Sequence, residues 1–500
     1  MSTRRIAIAL LGCMTALVAD ARPPNVVILY ADDMGCGDVA AANADSRIPT
    51  PHLDRLAREG TRFTDAHSSS GVCTPSRYAL LHGRYHWRKF HGIVDSFDQP
   101  VLDADRPTIA SMLKDSGYRT AAFGKWHLGW DWAAIRVPQV APQRQGNRDN
   151  FPPEAFDWSR RIPGGPLAFG FDRYVGDDVP NFPPYAWIID DRVEAPPTTT
   201  LTTTAPPTEG NWECRPGPAV ADWDFTAVMP RIVSETTTWL ETQSADAPFF
   251  LYVAFTSPHA PIVPAAAFRG TTEAGGYGDF VAQTDAAVGR ILDALERRGL
   301  ADDTIVVFTA DNGPEHYAYE RVRRTGHRSM GPFRGLKRDL WEGGHRVPFL
   351  VRWPGHVPAG SVSDGLVGQI DLFATIAACT GTPIPARAAE DSLDQTALFT
   401  GLGASARREL VHNTQPGRYA LRSDEWVYID PPGGGVTAMP AWFREQENYP
   451  DDAAGGLYDL RGDPGQRRNL LVAEPRRVAT MRERLDQLVG ERRQADRARK

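Results

Sequence analysis

Short, continuous apolar runs alternate along this chain with stretches whose apolar positions recur every three or four residues. Residues 25–30 form one such run, the pattern of a strand covered on both faces. Runs at 119–123, 249–255, 304–309 and 347–353 read the same way. Between them, residues 108–116 predict a helix closed by Gly117, and Val281, Val288, Ile291, Leu292 and Leu295 form one helical stripe before Gly299. This alternation predicts an α/β fold with a large, mainly parallel sheet flanked by helices. It fades between Trp130 and about Pro230, where the threonine- and proline-rich residues 196–210 read as a surface loop. Beyond Arg387 the pattern changes to hairpin-like strands at 419–422, 426–429 and 457–460, then a charged amphipathic helix at 475–493. The expected division is a catalytic unit over 22–387 and a smaller C-terminal subdomain, an antiparallel sheet plus helix, over 388–500.

Composition narrows the class. The 500 residues carry a net charge of -7, a pI near 6.0 and a mean hydropathy of -0.37, as in a soluble globular protein. An acidic chain argues against nucleic-acid binding, which needs a basic surface. Any anionic ligand must therefore meet a local positive pocket. Lys89, Lys114, Lys125, Lys337 and Lys500 are the only lysines. Because a compact ammonium and a planar guanidinium are chemically different, the internal ones stand out. At the N-terminus, Arg4-Arg5, an apolar run over 6–18 and Ala19-Asp20-Ala21 read as a signal peptide spanning 1–21. That implies an exported protein, periplasmic or secreted; lipid anchoring at Cys13 is the lesser alternative. The run is too short to span a membrane. Four cysteines remain after cleavage, Cys36, Cys73, Cys214 and Cys379; their spacing suits no zinc site but leaves disulfides open.

Four predicted strands run into polar clusters at their carboxyl ends: Asp32-Asp33, then Lys125-Trp126-His127, then Ser257-Pro258-His259, then Asp311-Asn312-Gly313. Ligands of open α/β sheets bind at that edge, so the clusters are expected to converge. Asp32, Asp33, Asp311 and Asn312 offer hard oxygen ligands, which suit calcium or magnesium, with calcium the better match to a carboxylate-rich set. Cys73 stands before a helix that Pro75 starts and Gly83 ends.

Cys73-Thr74-Pro75-Ser76-Arg77, extended by Leu80-Leu81-His82-Gly83-Arg84, resembles the modification signature of the type I, formylglycine-dependent sulfatases of the arylsulfatase and N-acetylgalactosamine-6-sulfatase kind. The residues at 51–57, 124–129, 257–259, 311–315, 335–337, 342–344, 457–460 and 463–464 fall in that family's order, so the likeness covers nearly the whole mature chain. The resemblance implies an alkaline-phosphatase-like fold and conversion of Cys73 to formylglycine by a separate formylglycine-generating enzyme. A geminal diol carries two hydroxyls on one carbon, one to attack sulfur and one to expel sulfate, which splits one hard hydrolysis into two steps.

By the same likeness, Asp32, Asp33, Asp311, Asn312 and an oxygen of modified Cys73 hold one divalent metal, Ca2+ before Mg2+. Arg77 steadies the diol, Lys125 and Lys337 neutralise sulfate oxygens, His127 is the base for sulfate release, and His259 is the acid for the leaving alcohol. His316 and His345 are expected to line a sugar subsite, beside Lys125, His259 and Lys337. Trp126 and Trp130 are candidates either for a sugar-stacking face or for the core. The implied activity is hydrolysis of sulfate monoesters on a carbohydrate, a 6-sulfated galactose or N-acetylgalactosamine. A phosphate or phosphonate monoester hydrolase of the same superfamily and an unmodified sulfated-glycan binder are the alternatives.

Overall fold

The computed structural model describes residues 22–145, 148–202 and 214–498, so the expected signal peptide and most of the 196–210 stretch lie outside the described residues. A ten-stranded sheet forms the centre. Its order is Ser361–Ser363, Thr61–Phe63, Phe349–Arg352, Thr304–Ala310, Asn25–Ala31, Phe249–Ala254, Arg119–Lys125, Arg173–Asp178, Ile188–Ile189 and Arg192–Val193. The strands from Thr304–Ala310 to Arg173–Asp178 are mutually parallel, and antiparallel pairs flank them on both sides. The five apolar runs read from the sequence are all strands of this sheet.

Alternation along the Asn25–Ala31 strand explains why it lies in the middle. Val26, Ile28 and Tyr30 enter one apolar cluster, with the helices Cys73–His82, Ile109–Asp115 and Leu372–Thr380. Val27, Leu29 and Ala31 enter the other, with Pro51–Glu59, Val228–Glu241 and Gly275–Arg297. Burying both faces contributes about 1.5–3 kcal/mol per large aliphatic side chain, so a continuous apolar run is stable only at this depth.

One irregularity matters for the chemistry. The register between Arg119–Lys125 and Arg173–Asp178 shifts at Phe123/Lys125. Gly124 permits it: its φ is +96°, and a Cβ there would lie 2.0 Å from the Ala254 carbonyl oxygen. The bulge re-aims Lys125.

The C-terminal sheet is antiparallel, in the order Glu409–Gln415, Arg418–Ser423, Trp426–Ile429 and Gly456–Asp459. The helix Pro475–Ala498 covers it through Val478, Met481, Leu485 and Val489. The same cluster takes in Ala79, Tyr85 and Trp87, so this sheet is packed onto the helix that begins with Cys73. The strand Glu409–Gln415 was not expected: His412, Asn413 and Thr414 are buried polar residues and break its apolar pattern.

Among the described residues, Cys36, Cys73, Cys214 and Cys379 form no disulfide. Cys36 reaches the Met330 carbonyl at 3.5 Å, and Cys379 reaches Thr396 Oγ1 at 3.6 Å. No described helix is long and apolar enough to cross a membrane.

Docking of the terminal helix is testable. Leu485→Ala is expected to destabilise the protein by about 2–5 kcal/mol in chemical denaturation, because Leu485 is wholly buried. Arg484→Ala removes a half-exposed pair with Glu409 and is expected to cost less than about 1 kcal/mol. Equal losses would contradict the packing described.

Candidate active site

The four polar clusters meet because their strands are neighbours. Lys125 is the last residue of its strand, Asp32 and Asp311 each follow theirs directly, and Ser257–His259 begin three residues beyond Ala254. Backbone bonds carry the ladder past the strand ends: Asp32 N–H donates to Ser257 O (3.1 Å) and Asp311 N–H to Ala31 O (3.1 Å). Asp33 then turns away with φ +63°, a left-handed conformation that costs a non-glycine residue about 1–3 kcal/mol, and its N–H donates to Asp311 Oδ1 at 3.2 Å.

Three carboxylates and three cations fill the resulting interior. Lys125 Nζ lies 2.6 Å from Asp32 Oδ2. Lys337 Nζ lies 2.7 and 2.8 Å from the two oxygens of Asp33. Arg77 Nε and Nη2 reach Asp311 Oδ2 at 3.1 and 2.8 Å, and its Nη1 donates to the Lys125 carbonyl at 3.0 Å. All six side chains are at most 4% exposed. Burial raises Asp33, but Lys337 and His259 hold it below the ordinary carboxylate range. Burial and then the Asp32 charge push Asp311 up to about 6, despite Arg77.

Cys73 is the first residue of the ten-residue helix Cys73–His82, whose amino end presents a partial positive charge. Gly83 ends the helix at φ +61°, as its sequence position requires. Burial pushes the Cys73 thiol up, while Lys125 and Lys337 oppose the shift and Asp311 and Asp32 add to it. The helix start thus shares the electrostatic environment of the acid–base cluster. Ser76 Oγ donates to Ser70 O at 2.9 Å, and Arg338 N–H donates to Gly71 O at 2.7 Å, which ties the Lys337 loop to the Cys73 loop.

His127 is also left-handed, at φ +55°. Its N–H donates to Asp178 Oδ1 (3.2 Å) and its carbonyl accepts from Thr74 Oγ1 (3.0 Å). A carbonyl only accepts, so the 3.0 Å contact of Nε2 with Val94 O puts the proton on Nε2. Nδ1 is left buried with a lone pair and no hydrogen bond. Burial, then Lys125 and Arg77, keep this ring neutral. His259 is the mirror case: Nδ1 donates to Ala260 O at 2.6 Å, and Nε2 faces Asp33 Oδ2 at 3.7 Å. Its side chain keeps 11% exposure, so the site opens to solvent on this side.

The remaining candidates separate. His316 is exposed and bonded to Glu315 Oε1 (2.9 Å); Glu315 in turn lies 3.6 Å from Lys337 and pairs with Arg338, which places His316 at the rim. His345 is wholly buried against His67 and His412, so its ring is not open to a sugar. Its position after Glu342-Gly343-Gly344 gave no sign that the chain folds it inward. Trp126 and Trp130 pack in the core with Phe171 and Tyr174. A cleft around Asn43, Arg47, Arg328 and Arg467 includes none of the site residues.

Two groups escaped the sequence reading. Asp177 and Asp178 close the strand next to Lys125; burial pushes them up to about 7 and about 6, and neither oxygen of Asp177 has a hydrogen bond. Glu315 braces Lys337. A second acidic pair at a strand end was the available signal for the first; nothing in the sequence marked Val94, which fixes His127 through its backbone.

The donor set fits a divalent cation. Asp32 Oδ1 and Asn312 Oδ1 are buried acceptors without a hydrogen bond. Asn312 Nδ2 donates to Asp33 Oδ1 at 2.7 Å, which aims its oxygen away from that carboxylate. Ligand atoms of Asp32, Asp33 and His259 lie within 4.8 Å of one another. Oxygen-rich donors of this kind suit a hard ion.

The sulfatase family model matches residues 24–382. The chain is 32% identical to N-acetylgalactosamine-6-O-sulfatase of Bacteroides thetaiotaomicron, over 96% of each protein. It is 33% identical to arylsulfatase A of Homo sapiens, over 93% of this chain and 86% of that protein. Among solved structures, a sulfatase from the metabolism of multiple glycosaminoglycans by Bacteroides thetaiotaomicron superposes with a TM-score of 0.78 at 29% identity, covering 94% of this chain and 99% of that one.

Removing one member of the buried cluster has a defined consequence. With divalent ions chelated, Arg77→Met is expected to lower stability by about 3–5 kcal/mol, since the Asp311 carboxylate loses its partner. Arg77→Met combined with Asp311→Asn is expected to recover most of that loss in the same denaturation assay. A double variant no more stable than the single one would refute the pairing.

Proposed function

The chain belongs to the sulfatase family, and from that premise we propose that it hydrolyses sulfate monoesters on a carbohydrate, at the 6-position of galactose or N-acetylgalactosamine. The observation that carries the reading is the start of the Cys73 helix beside two lysines, each paired with an aspartate of one cluster. The sugar is argued from the named substrate of the Bacteroides thetaiotaomicron relative, which matches 96% of this chain.

In the proposed scheme Asp32, Asp33, Asp311 and Asn312 hold the cation, Ca2+ before Mg2+, with an oxygen of modified Cys73. Bound there, it supplies Lewis-acid polarisation and charge neutralisation. Formylglycine made from Cys73 by a separate maturation enzyme supplies the attacking hydroxyl. The chain's own groups do the rest. Lys125 and Lys337 exchange contacts with Asp32 and Asp33 for contacts with sulfate oxygens, meeting charge where it develops. Arg77, fixed on Asp311 and the Lys125 carbonyl, orients the helix start. His127 Nδ1, unprotonated, accepts a proton; His259 Nε2, at the open side, must first take up a proton from solvent, making the ring an imidazolium, and then delivers it to the departing sugar oxygen. His316 contacts the sugar from the rim. We also propose export through the 1–21 leader, and a boundary near Arg387 between the catalytic unit and a bracing C-terminal subdomain.

Purified protein from a host that makes formylglycine is expected to release sulfate from 6-sulfated N-acetylgalactosamine or galactose, and to prefer an aryl sulfate over the matched phosphate. The Cys73 peptide is expected to carry an aldehyde by mass spectrometry. A phosphate preference would move the protein to the phosphomonoesterase reading, and an unmodified cysteine without turnover would move it to the binder. His127→Ala is expected to lower kcat by about 10²–10⁴, and Lys337→Ala by about 10²–10³. Chelation is expected to abolish turnover and Ca2+ to restore it better than Mg2+; activity indifferent to chelator would rule out the cation site.

A further inference from the structure

Three histidines far apart in sequence meet in the interior at the seam between the two sheets. His67 ends the short strand Ala66–His67, His345 ends the helix Glu342–His345, and His412 lies in the strand Glu409–Gln415 of the C-terminal sheet. All three are at most 1% exposed. Their ring centroids are 5.2 Å (His67–His345), 5.3 Å (His67–His412) and 3.5 Å (His345–His412) apart. We propose that His67, His345 and His412 form a second metal site, for a d-block divalent cation such as Zn2+, which fastens the C-terminal sheet to the catalytic unit.

The hydrogen bonds around the rings carry the argument. His345 Nε2 lies 3.2 Å from the Leu340 carbonyl, which only accepts, so Nε2 holds the proton and Nδ1 presents a lone pair. His67 Nε2 donates to Asp65 Oδ1 at 2.7 Å, and in the neutral ring Nδ1 presents a lone pair as well. These two Nδ1 atoms stand 3.0 Å apart. Two lone pairs at that separation repel unless a cation sits between them, either a proton or a metal ion. A carbonyl and a carboxylate on the outer nitrogens are the usual supports of metal-bound imidazoles. The third ring completes the case for the metal. His412 is stacked on His345 with the Ser68 backbone beside it, and one nitrogen of each histidine already lies within 4.8 Å of the others. Tetrahedral zinc with bonds of about 2.0–2.1 Å needs nitrogens roughly 3.3 Å apart, which the first pair nearly meets; on binding, His412 would leave its stack on His345 to bring a nitrogen to the same distance.

Charge is compatible. Asp65 and Glu342 lie 2.7 and 3.9 Å from His67, and Arg346 and Arg422 pair with these carboxylates, so the surrounding set is balanced. A divalent ion that displaces the shared proton adds one net positive charge rather than two. Imidazole nitrogens select a d-block ion and not the hard cation of the oxygen cluster, so the two sites take different metals.

The test uses the full-length protein grown with Zn2+, and separately with Co2+. Elemental mass spectrometry is expected to find one d-block ion per chain, and the cobalt form is expected to show the intense visible bands of four-coordinate cobalt. His412→Phe and His67→Gln are expected to lose both signals while keeping the calcium content. Folded wild type without a stoichiometric d-block ion would overturn the proposal in favour of a shared proton. So would only the weak bands of six-coordinate cobalt, or signals that persist in both variants. The wild-type measurement decides even where a variant does not fold.

Discussion

Asp32, Asp33 and Asp311 stand together in the interior, where three like charges would repel strongly and each would have lost its water. They are tolerable because Lys125, Lys337 and Arg77 each neutralise one of them within about 3 Å. Much of the architecture can be understood as holding those three pairs. The parallel strands bring the carboxylates to one edge, the bulge at Gly124 turns Lys125 inward, and the loop bonded to Gly71 and Pro314 carries Lys337 across.

The same balance explains how an acidic protein can receive an anion. Three carboxylates against three cations leave the cluster near neutral. A divalent ion gives it a net positive charge, and the positive end of the Cys73 helix points the same way. In the proposed scheme the lysines are then released toward a sulfate rather than held by aspartates. Affinity for a sulfate monoester is thus local, and the net charge of -7 over the chain does not oppose it at this depth.

The C-terminal sheet takes part in this arrangement through packing. It shares an apolar cluster with Ala79 of the Cys73 helix, Ser70 Oγ donates to the Asn413 carbonyl at 2.7 Å, and His412 stacks on His345. A shift of that sheet would therefore reach the helix start that bears the proposed nucleophile.

The five central apolar runs, the glycine that ends the Cys73 helix, and the polar clusters at the strand ends were legible in the sequence, because short-range periodicity and turn chemistry are local. The Cys73 pentapeptide and the order of the surrounding motifs were equally plain. Other features depended on contacts between distant segments. Asp177 and Asp178 did not stand out until the strand order set them beside Lys125. His345 looked like a loop residue at the substrate until the helix Glu342–His345 directed it into the core. The strand Glu409–Gln415 was hidden because its buried His412, Asn413 and Thr414 are polar, and the partners of Asn413 Oδ1, His86 and His91, lie hundreds of residues away. Sequence by itself determined which segments are strands and which polar clusters at their ends are candidates for the chemistry. Tertiary structure decided which histidines lie open to solvent and which face each other in the interior, since burial and long-range pairing are properties of the folded chain.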